Sequence, residues 1–416
     1  MSQPVNEPIL GYAPGSSERS SLMNEMDSQM SEVFEIPCII NGEEIFTGIT
    51  VPQVIPHDHG HVLANVHLAG RDEMEAACAA AVAAQQDWID LGLEGRCAIF
   101  ERCADLLAGE WRMRVNASTM LNQSKTAFQA EIDAACELID FWRFNCHYAR
   151  GFHDDFQPLV SPDGVENSTE IRPLEGFVLA ITPFNFTSIA ANLPSAPAIV
   201  GCTSVWKPSR NSYHSNYVLM QLMMEAGLPP GVINFLPGSG AEITEVALAN
   251  PDFAGLHFTG STATFQGLWQ EIGLALPKLR SYPRIVGETG GKDFVVAHPE
   301  CDSQGLLVAL LRGSFEYQGQ KCSAASRAYI PQSVWATISD DLCAEIGKIK
   351  MGDARDFTNF MTAVIDQRAF DKISGYIERA QARDCCQVIV GGGFDDSEGW
   401  FIEPTIIVTT NPTSET

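Results

Sequence analysis

A chain of 416 residues is too long for one small hydrophobic core, so two or three domains, or one large α/β unit with appendages, are expected. Hydrophobic residues make up 45% of it and the mean hydropathy is -0.01, the composition of a soluble globular protein. Asp and Glu number 52 against 26 Lys and Arg, a formal net charge of -26, and a surface of that sign repels nucleic acid and anionic lipid alike.

The opening, MSQPVNEPIL, has neither a charged and apolar leader nor an Arg-rich amphipathic presequence, and no apolar run reaches the roughly 18 residues that span a bilayer. The chain therefore reads as intracellular, without nucleic-acid or membrane partners. Residues 1–37 are polar and are expected to form an arm or irregular segment. In IPCIINGEEIFTG the NGEE stretch predicts a hairpin turn. HDHGH follows, with His57, His59 and His61 at alternate positions; a surface strand or turn is favoured over a metal site, because no cysteine stands at ligand spacing. Residues 71–150 turn helical: an Ala-rich helix through DEMEAACAAAVAAQQDWIDL, a second through RCAIFERCADLLAGE stopped by Gly109, and a third through AEIDAACELIDFWRFNCHYA. Residues 151–170, broken by Pro, Gly and Asp, suggest a projecting β-hairpin.

Short β-branched runs then alternate with helical stretches. GFVLAIT, TSVWKPS, VINFLPG, GLHFTGS and RIVGE read as strands, separated by helices through SIAANLPSAPAIVG, YVLMQLMMEAGLPP, AEITEVALAN and ATFQGLWQEIG. This is the signature of a doubly wound parallel sheet, which binds ligands beyond the carboxyl ends of its strands. The second half repeats the theme more loosely from DFVVAH to FIEPTIIVTTNPTSET. The 12 cysteines are scattered, with Cys385-Cys386 the one close pair, and most are expected to be reduced, buried, small apolar residues.

Several residues at these strand ends could carry chemistry. Cys322, in EYQGQKCSAASR, has Lys321 beside it to lower its pKa and small neighbours that leave room for a substrate, although a lone cysteine is more often a packed one. Glu288 in VGETGGKDF could face a cleft as a base, or be a solvated or capping carboxylate. Asn185 in TPFNF could donate to a developing oxyanion, or merely stabilise its own turn. Lys207 ends a strand where nucleotide hydroxyls or phosphates could be held. Thr259–Thr264, TGSTAT, has the composition of a phosphate-facing helix N-terminus without the dinucleotide glycine fingerprint.

Taken in order, TPFNF, WKPS, FTGS, GETGGK and GQKCSA resemble the aldehyde dehydrogenase superfamily over nearly the whole chain. NEPIL, AEIDAACELIDFWRFN, PFNFTSIAANL, FTGSTATF and FEYQGQKCSAASR look like the branch of it that oxidises L-glutamate γ-semialdehyde to glutamate in proline catabolism. The resemblance implies an α/β fold with a doubly wound parallel-sheet cofactor domain at 38–150 and 171–288. It further implies an α/β catalytic domain at 289–416 and a small oligomerisation hairpin at 151–170. It makes Cys322 the nucleophile, Asn185 the oxyanion donor and Glu288 the base that directs water onto a thioester. It assigns Thr182, Lys207, Ser209, Gly260, Ser261, Thr262, Ala263 and Thr264 to NAD, and Phe186, Ser323 and Glu137 to the aldehyde. It also implies a homodimer or higher homo-oligomer when the chain is full length; no metal is expected.

The sequence departs from that pattern twice. Arg210 stands where many NAD-preferring relatives have an acid, which leaves NADP open. The chain also ends where the family pattern continues, so the catalytic domain is expected to lack its last part and to expose apolar surface and an unpaired sheet edge. Two other functions are compatible with the residues: a non-catalytic NAD-binding or subunit-interaction protein, and a sibling semialdehyde dehydrogenase with another substrate.

Overall fold

In the computed structural model, which describes residues 3–155, 160–291 and 293–415, the polar start of the chain is more ordered than its composition suggests. Helix α1 (Ser17–Met30) is capped by the Ser16 hydroxyl, which accepts from the Arg19 N–H. Leu22 and Met26, one turn apart, bury themselves against Met120 and Leu121. The expected irregular arm is thus corrected: two apolar residues on one face are enough to seat a helix that is otherwise polar. Strand β1 (Phe34–Ile36) follows, and then β2 (Cys38–Ile40) and β3 (Glu43–Ile45) pair antiparallel. They turn on Asn41 and Gly42 at φ 53° and 77°, the left-handed pair that a two-residue hairpin requires. Strands β4 (Thr50–Ile55) and β5 (Asp58–His67) complete a three-stranded sheet ordered β1-β5-β4.

Helices α2 (Arg71–Asp90), α3 (Gly92–Ala108), α4 (Arg112–Gln123) and the short α5 (Ala127–Ala130) come next. A π-helical turn (Glu131–Cys136) then leads into α6 (Glu137–Asp155). Helix α4 is buried on nearly every side, with Asn116, Asn122 and Gln123 inside the protein. The hairpin expected at 151–170 is not formed in the described part. Helix α6 runs on to Asp155 and residues 160–175 carry no strand, while 156–159 lie outside the described residues. A two-stranded ribbon has little independent stability, and Val160 and Val165 are exposed with no sheet to pair on.

The alternating segment forms as its pattern predicts, through β6 (Phe177–Ile181), α7 (Thr187–Ile199), β7 (Thr203–Lys207), α8 (Tyr213–Glu225), β8 (Ile233–Phe235), α9 (Gly240–Ala249), β9 (Phe253–Gly260), α10 (Thr262–Ala275) and β10 (Arg284–Thr289). These strands and the first hairpin make one seven-stranded sheet, ordered β10-β9-β6-β7-β8-β2-β3. Its first five strands are parallel. Alternate strand residues reach opposite faces. Leu179, Val205 and Phe258 pack with α2, α9 and α10, whereas Trp206 and Phe235 pack with α3, α6, α7 and α8.

Beyond it, β11 (Phe294–Val296) pairs parallel with β12 (Arg327–Tyr329), with α11 (Ser303–Phe315) between them. Helix α12 (Gln332–Ile346) buries Val334, Ile338 and Leu342 against Leu306, Leu307 and Leu310 of α11. Helix α13 (Gln367–Gln381), the antiparallel pair β13 (Cys386–Val390) and β16 (Ile406–Thr409), and the small pair β14 (Phe394–Asp395) and β15 (Phe401–Ile402) complete the chain. Phe294, Val296, Val308 and Tyr329 are exposed on this part.

The segment before α1 is tied to the π turn by a buried carboxylate. Glu131 accepts from the Tyr12 hydroxyl (2.6 Å), the Leu10 N–H (2.8 Å) and the Asn116 amide (2.8 Å). It also pairs with Arg112, whose guanidinium in turn holds Glu7 at 2.7 Å. Replacing Arg112 with Met leaves this carboxylate buried without a cation, so roughly 3–5 kcal/mol of stability is lost. Urea unfolding of the variant measures the loss, and proteolysis within residues 3–12 rises with it.

Candidate active site

The carboxyl ends of β6, β7, β9 and β10 lie side by side, so the loops that leave them converge. Glu288, the penultimate residue of β10, lies level with Thr259 of β9, and the Thr259 hydroxyl donates to its Oε2 at 3.5 Å. Asn185, in the loop after β6, donates its amide to the Gln320 carbonyl at 3.0 Å. The Cys322 thiol donates to Glu288 Oε1 at 3.6 Å. Three residues far apart in sequence are therefore gathered into one place.

A glycine makes that gathering possible. A Cβ built on Gly291 would lie 1.5 Å from the Cys322 carbonyl oxygen, so the GETGG loop and the cysteine turn touch backbone to backbone. The turn itself is strained. Tyr317, Gln318 and Gly319 all lie in the left-handed region, at φ 52°, 54° and 69°, which costs about 1–3 kcal/mol for each non-glycine residue. Its surroundings hold it there. Tyr317 donates its hydroxyl to the Gln123 carbonyl at 3.0 Å. Gln318 donates to the Ala363 carbonyl at 2.7 Å and accepts from the Thr362 N–H at 3.2 Å, and Gln320 accepts from the Ile365 N–H at 3.0 Å.

One electrostatic expectation is corrected here. Burial raises the Cys322 pKa above its ordinary thiol value, and the charge and hydrogen bond of Glu288 raise it further. Lys321 does not oppose this, because its ammonium turns toward Asp133 (3.1 Å) and Glu316 (3.5 Å). Neighbours in sequence at a turn need not be neighbours in space. The resting group is a thiol beside a carboxylate that can take its proton, an arrangement suited to nucleophilic addition with a built-in base.

Phe186 is buried, with the ammonium groups of Lys125 and Lys321 at 4.4 Å and 5.6 Å from its ring centre. Glu137 accepts from the Ser188 hydroxyl at 2.5 Å, and burial raises its pKa. Ser323 is exposed in the turn after Cys322. Lys125 and Asp133, 2.6 Å apart, carried no local signal in the sequence, being a lysine and an aspartate among other polar residues.

Along the strand ends, Lys207 is largely buried, and burial followed by the Arg210 charge lowers its pKa to about 8. Thr182 is buried, accepting from the Trp206 indole at 3.0 Å and donating its N–H to the Lys207 carbonyl at 3.2 Å. Ser209 accepts from the Asn211 N–H at 3.4 Å. Gly260 ends β9; Ser261 caps α10, and Thr262, Ala263 and Thr264 expose its first turn. Arg210 is exposed and its guanidinium lies 3.9 Å from Asp366.

The HDHGH segment forms the expected turn and strand start, but its first histidine is buried rather than on the surface. His57 occupies the turn before β5 and is buried, with Nδ1 at 2.7 Å from the Ser124 hydroxyl and Nε2 at 3.2 Å from Asp353. His59 meets the Asp396 carbonyl at 2.8 Å. Among the described residues no group of three or more His, Cys, Asp or Glu is placed to hold a metal, and no helix is long and apolar enough to cross a membrane.

Residues 47–416 match the model of the aldehyde dehydrogenase family. The delta-1-pyrroline-5-carboxylate dehydrogenase of Agaricus bisporus is 48% identical over 415 residues, 99% of this chain and 75% of its own length. The Homo sapiens mitochondrial enzyme of the same name is 41% identical over 98% of this chain and 72% of its own. Among solved structures, the Mycobacterium tuberculosis delta-pyrroline-5-carboxylate dehydrogenase bound with NAD superposes with a TM-score of 0.97 at 50% identity, over 99% of this chain and 77% of that one.

Replacing Glu288 with Gln removes two of the influences that raise the thiol pKa and leaves burial, the largest. The pH midpoint for alkylation of Cys322 therefore moves down in Glu288→Gln, while turnover falls by about a hundredfold or more for want of a base. Iodoacetamide labelling across pH, read on the peptide that carries Cys322, checks the first outcome, and steady-state kinetics checks the second.

Proposed function

We propose that this chain, which belongs to the aldehyde dehydrogenase family, oxidises L-glutamate γ-semialdehyde to L-glutamate with NAD. The convergence of Cys322, Glu288 and Asn185 at the strand ends carries this reading. The identity to relatives named for 1-pyrroline-5-carboxylate, the cyclised form of that aldehyde, supports the substrate.

In this reading Glu288 takes the Cys322 proton as the sulfur adds to the aldehyde carbon, giving a thiohemiacetal. The Asn185 amide and the Cys322 backbone N–H hold the oxygen that becomes negative. NAD, when bound, supplies the acceptor for the hydride whose loss leaves a thioester on Cys322. Glu288, once the first proton has passed to solvent, draws a proton from water as that water attacks the thioester and returns it to the departing sulfur, releasing glutamate and the thiol. Phe186 walls the aldehyde slot, Glu137 meets the substrate ammonium and Ser323 its carboxylate.

The residues at the strand ends fit NAD. The exposed first turn of α10 presents backbone N–H groups to a pyrophosphate, and Lys207 is a largely buried ammonium with no ion pair among the described residues, suited to ribose hydroxyls. Thr182, Ser209 and the Gly260–Thr264 loop line the same edge, which makes 38–150 and 171–288 the cofactor domain and 289–416 the catalytic one. The Asp366 carboxylate beside Arg210 favours NAD over a 2'-phosphorylated cofactor. A homo-oligomer formed through α10 and the edge strand β10 accounts for the exposure of Trp269, Leu274, Tyr282 and Val286 there.

Aldehyde-dependent formation of NADH is expected with glutamate semialdehyde in preference to succinate semialdehyde and simple aldehydes, and is abolished in Cys322→Ser. Binding of NAD by calorimetry without turnover would sink the catalytic reading, and a clear preference for a simple aldehyde would sink the substrate. In sedimentation, Trp269→Glu together with Leu274→Glu shifts the protein toward monomer.

A further inference from the structure

The π turn between α5 and α6 presents Asp133 to two lysines at once. Its Oδ2 accepts from the Lys125 ammonium at 2.6 Å and lies 3.1 Å from that of Lys321. Lys125 is fully buried, with its ammonium 4.4 Å and 4.3 Å from the ring centres of Phe186 and Tyr317. Lys321 precedes Cys322 and reaches one further carboxylate, Glu316, at 3.5 Å. Without Asp133, two ammonium groups would face each other in a largely dehydrated place, and Lys321 would have to move because Lys125 is walled in by rings. A movement of Lys321 that carries its backbone displaces the sulfur, since residues 321 and 322 share a peptide bond.

We propose that Asp133 is the positioning residue of the nucleophile: by bridging Lys125 and Lys321 it fixes the depth at which Cys322 meets Glu288 and the aldehyde. The bridge is built by an irregular helical turn, a feature found frequently at functional sites. Lys321, expected from the sequence to act on the thiol through its charge, here acts through its length, as a tether from the strained turn to the helical body.

This inference rests on the catalytic reading of Cys322, so its test combines a kinetic arm with one that needs no substrate. In Asp133→Asn, kcat for the aldehyde is expected to fall about tenfold or more, with the affinity for NAD unchanged. Amide hydrogen exchange is expected to quicken in residues 316–325 and to stay unchanged in the strands at 177–207. Lys125→Met combined with Asp133→Asn removes the unbalanced buried cation, so the melting temperature recovers while kcat and the exchange at 316–325 do not. Lys321→Met, which keeps the Lys125–Asp133 pair, shows the same loss of kcat in a protein that folds normally. Recovery of kcat along with stability in the double variant overturns the proposal, because Asp133 would then only neutralise Lys125. Unchanged exchange at 316–325 in Asp133→Asn, or unchanged kcat in Lys321→Met, overturns it as well. If the wild-type protein does not oxidise glutamate semialdehyde, the substrate reading falls alone, since the exchange arm is measured without it.

Discussion

The turn that carries Cys322 is held against its own backbone preference, and the rest of the site depends on that restraint. Two successive non-glycine residues in the left-handed region are stable only where the surroundings over-determine them. Here the restraint comes from two directions: the end of α4 through the Gln123 carbonyl, and residues 362–365 through their backbone groups. Both anchors are themselves constrained. Ser124, just after α4, is another non-glycine residue at positive φ, and its carbonyl accepts from the Thr362 hydroxyl. The seven-stranded sheet supplies Glu288 and Asn185, and the second half of the chain supplies the sulfur. Strained residues at the junction set their separation.

The electrostatics of the site follow from this placement more than from composition. A thiol surrounded by a net negative protein, partly buried and hydrogen-bonded to a carboxylate, is kept protonated, and the same carboxylate is the nearest acceptor when the proton must leave. The adjacent lysine is drawn to Asp133 and Glu316 instead. In the proposed mechanism, acid–base work and positioning are divided between two carboxylates, Glu288 beside the thiol and Asp133 beside Lys321.

What was legible in the sequence was what repeats or turns sharply. Strand and helix alternate through 177–289 because runs such as FVLAI must be buried on both faces, and Asn41-Gly42 announces a hairpin because few other pairs tolerate its dihedrals. The candidate positions Thr182, Lys207 and Gly260 read as lying at the ends of those strands, and they lie there. Helix α1 was hidden by its polar surface, whereas α4 falls within the stretch 71–150 that reads as helical. The burial of His57 depends on Ser124 and Asp353, far along the chain, and Lys321 turns from the thiol to Asp133, because adjacency in sequence is not adjacency in space. Both cases concern a polar side chain whose partner lies far along the chain. Local patterns hold no record of such a partner.

The contact between Gly291 and Cys322 shows how much of the site consists of such distant pairings. A single methyl group at 291 would collide with the Cys322 carbonyl oxygen, and the Asp293 carbonyl accepts from the Ser326 N–H at 3.0 Å on the next stretch of the same two loops. The loop that ends in Glu288 and Gly291 belongs to the large sheet. The turn that ends in Cys322 belongs to the second half. Their contact is made of backbone, so no side chain can flex to absorb a change in either. The separation of Glu288 and Cys322 therefore depends on the packing of the two halves of the chain, and in the proposed mechanism a substitution that shifts one half against the other would act on turnover without touching either residue.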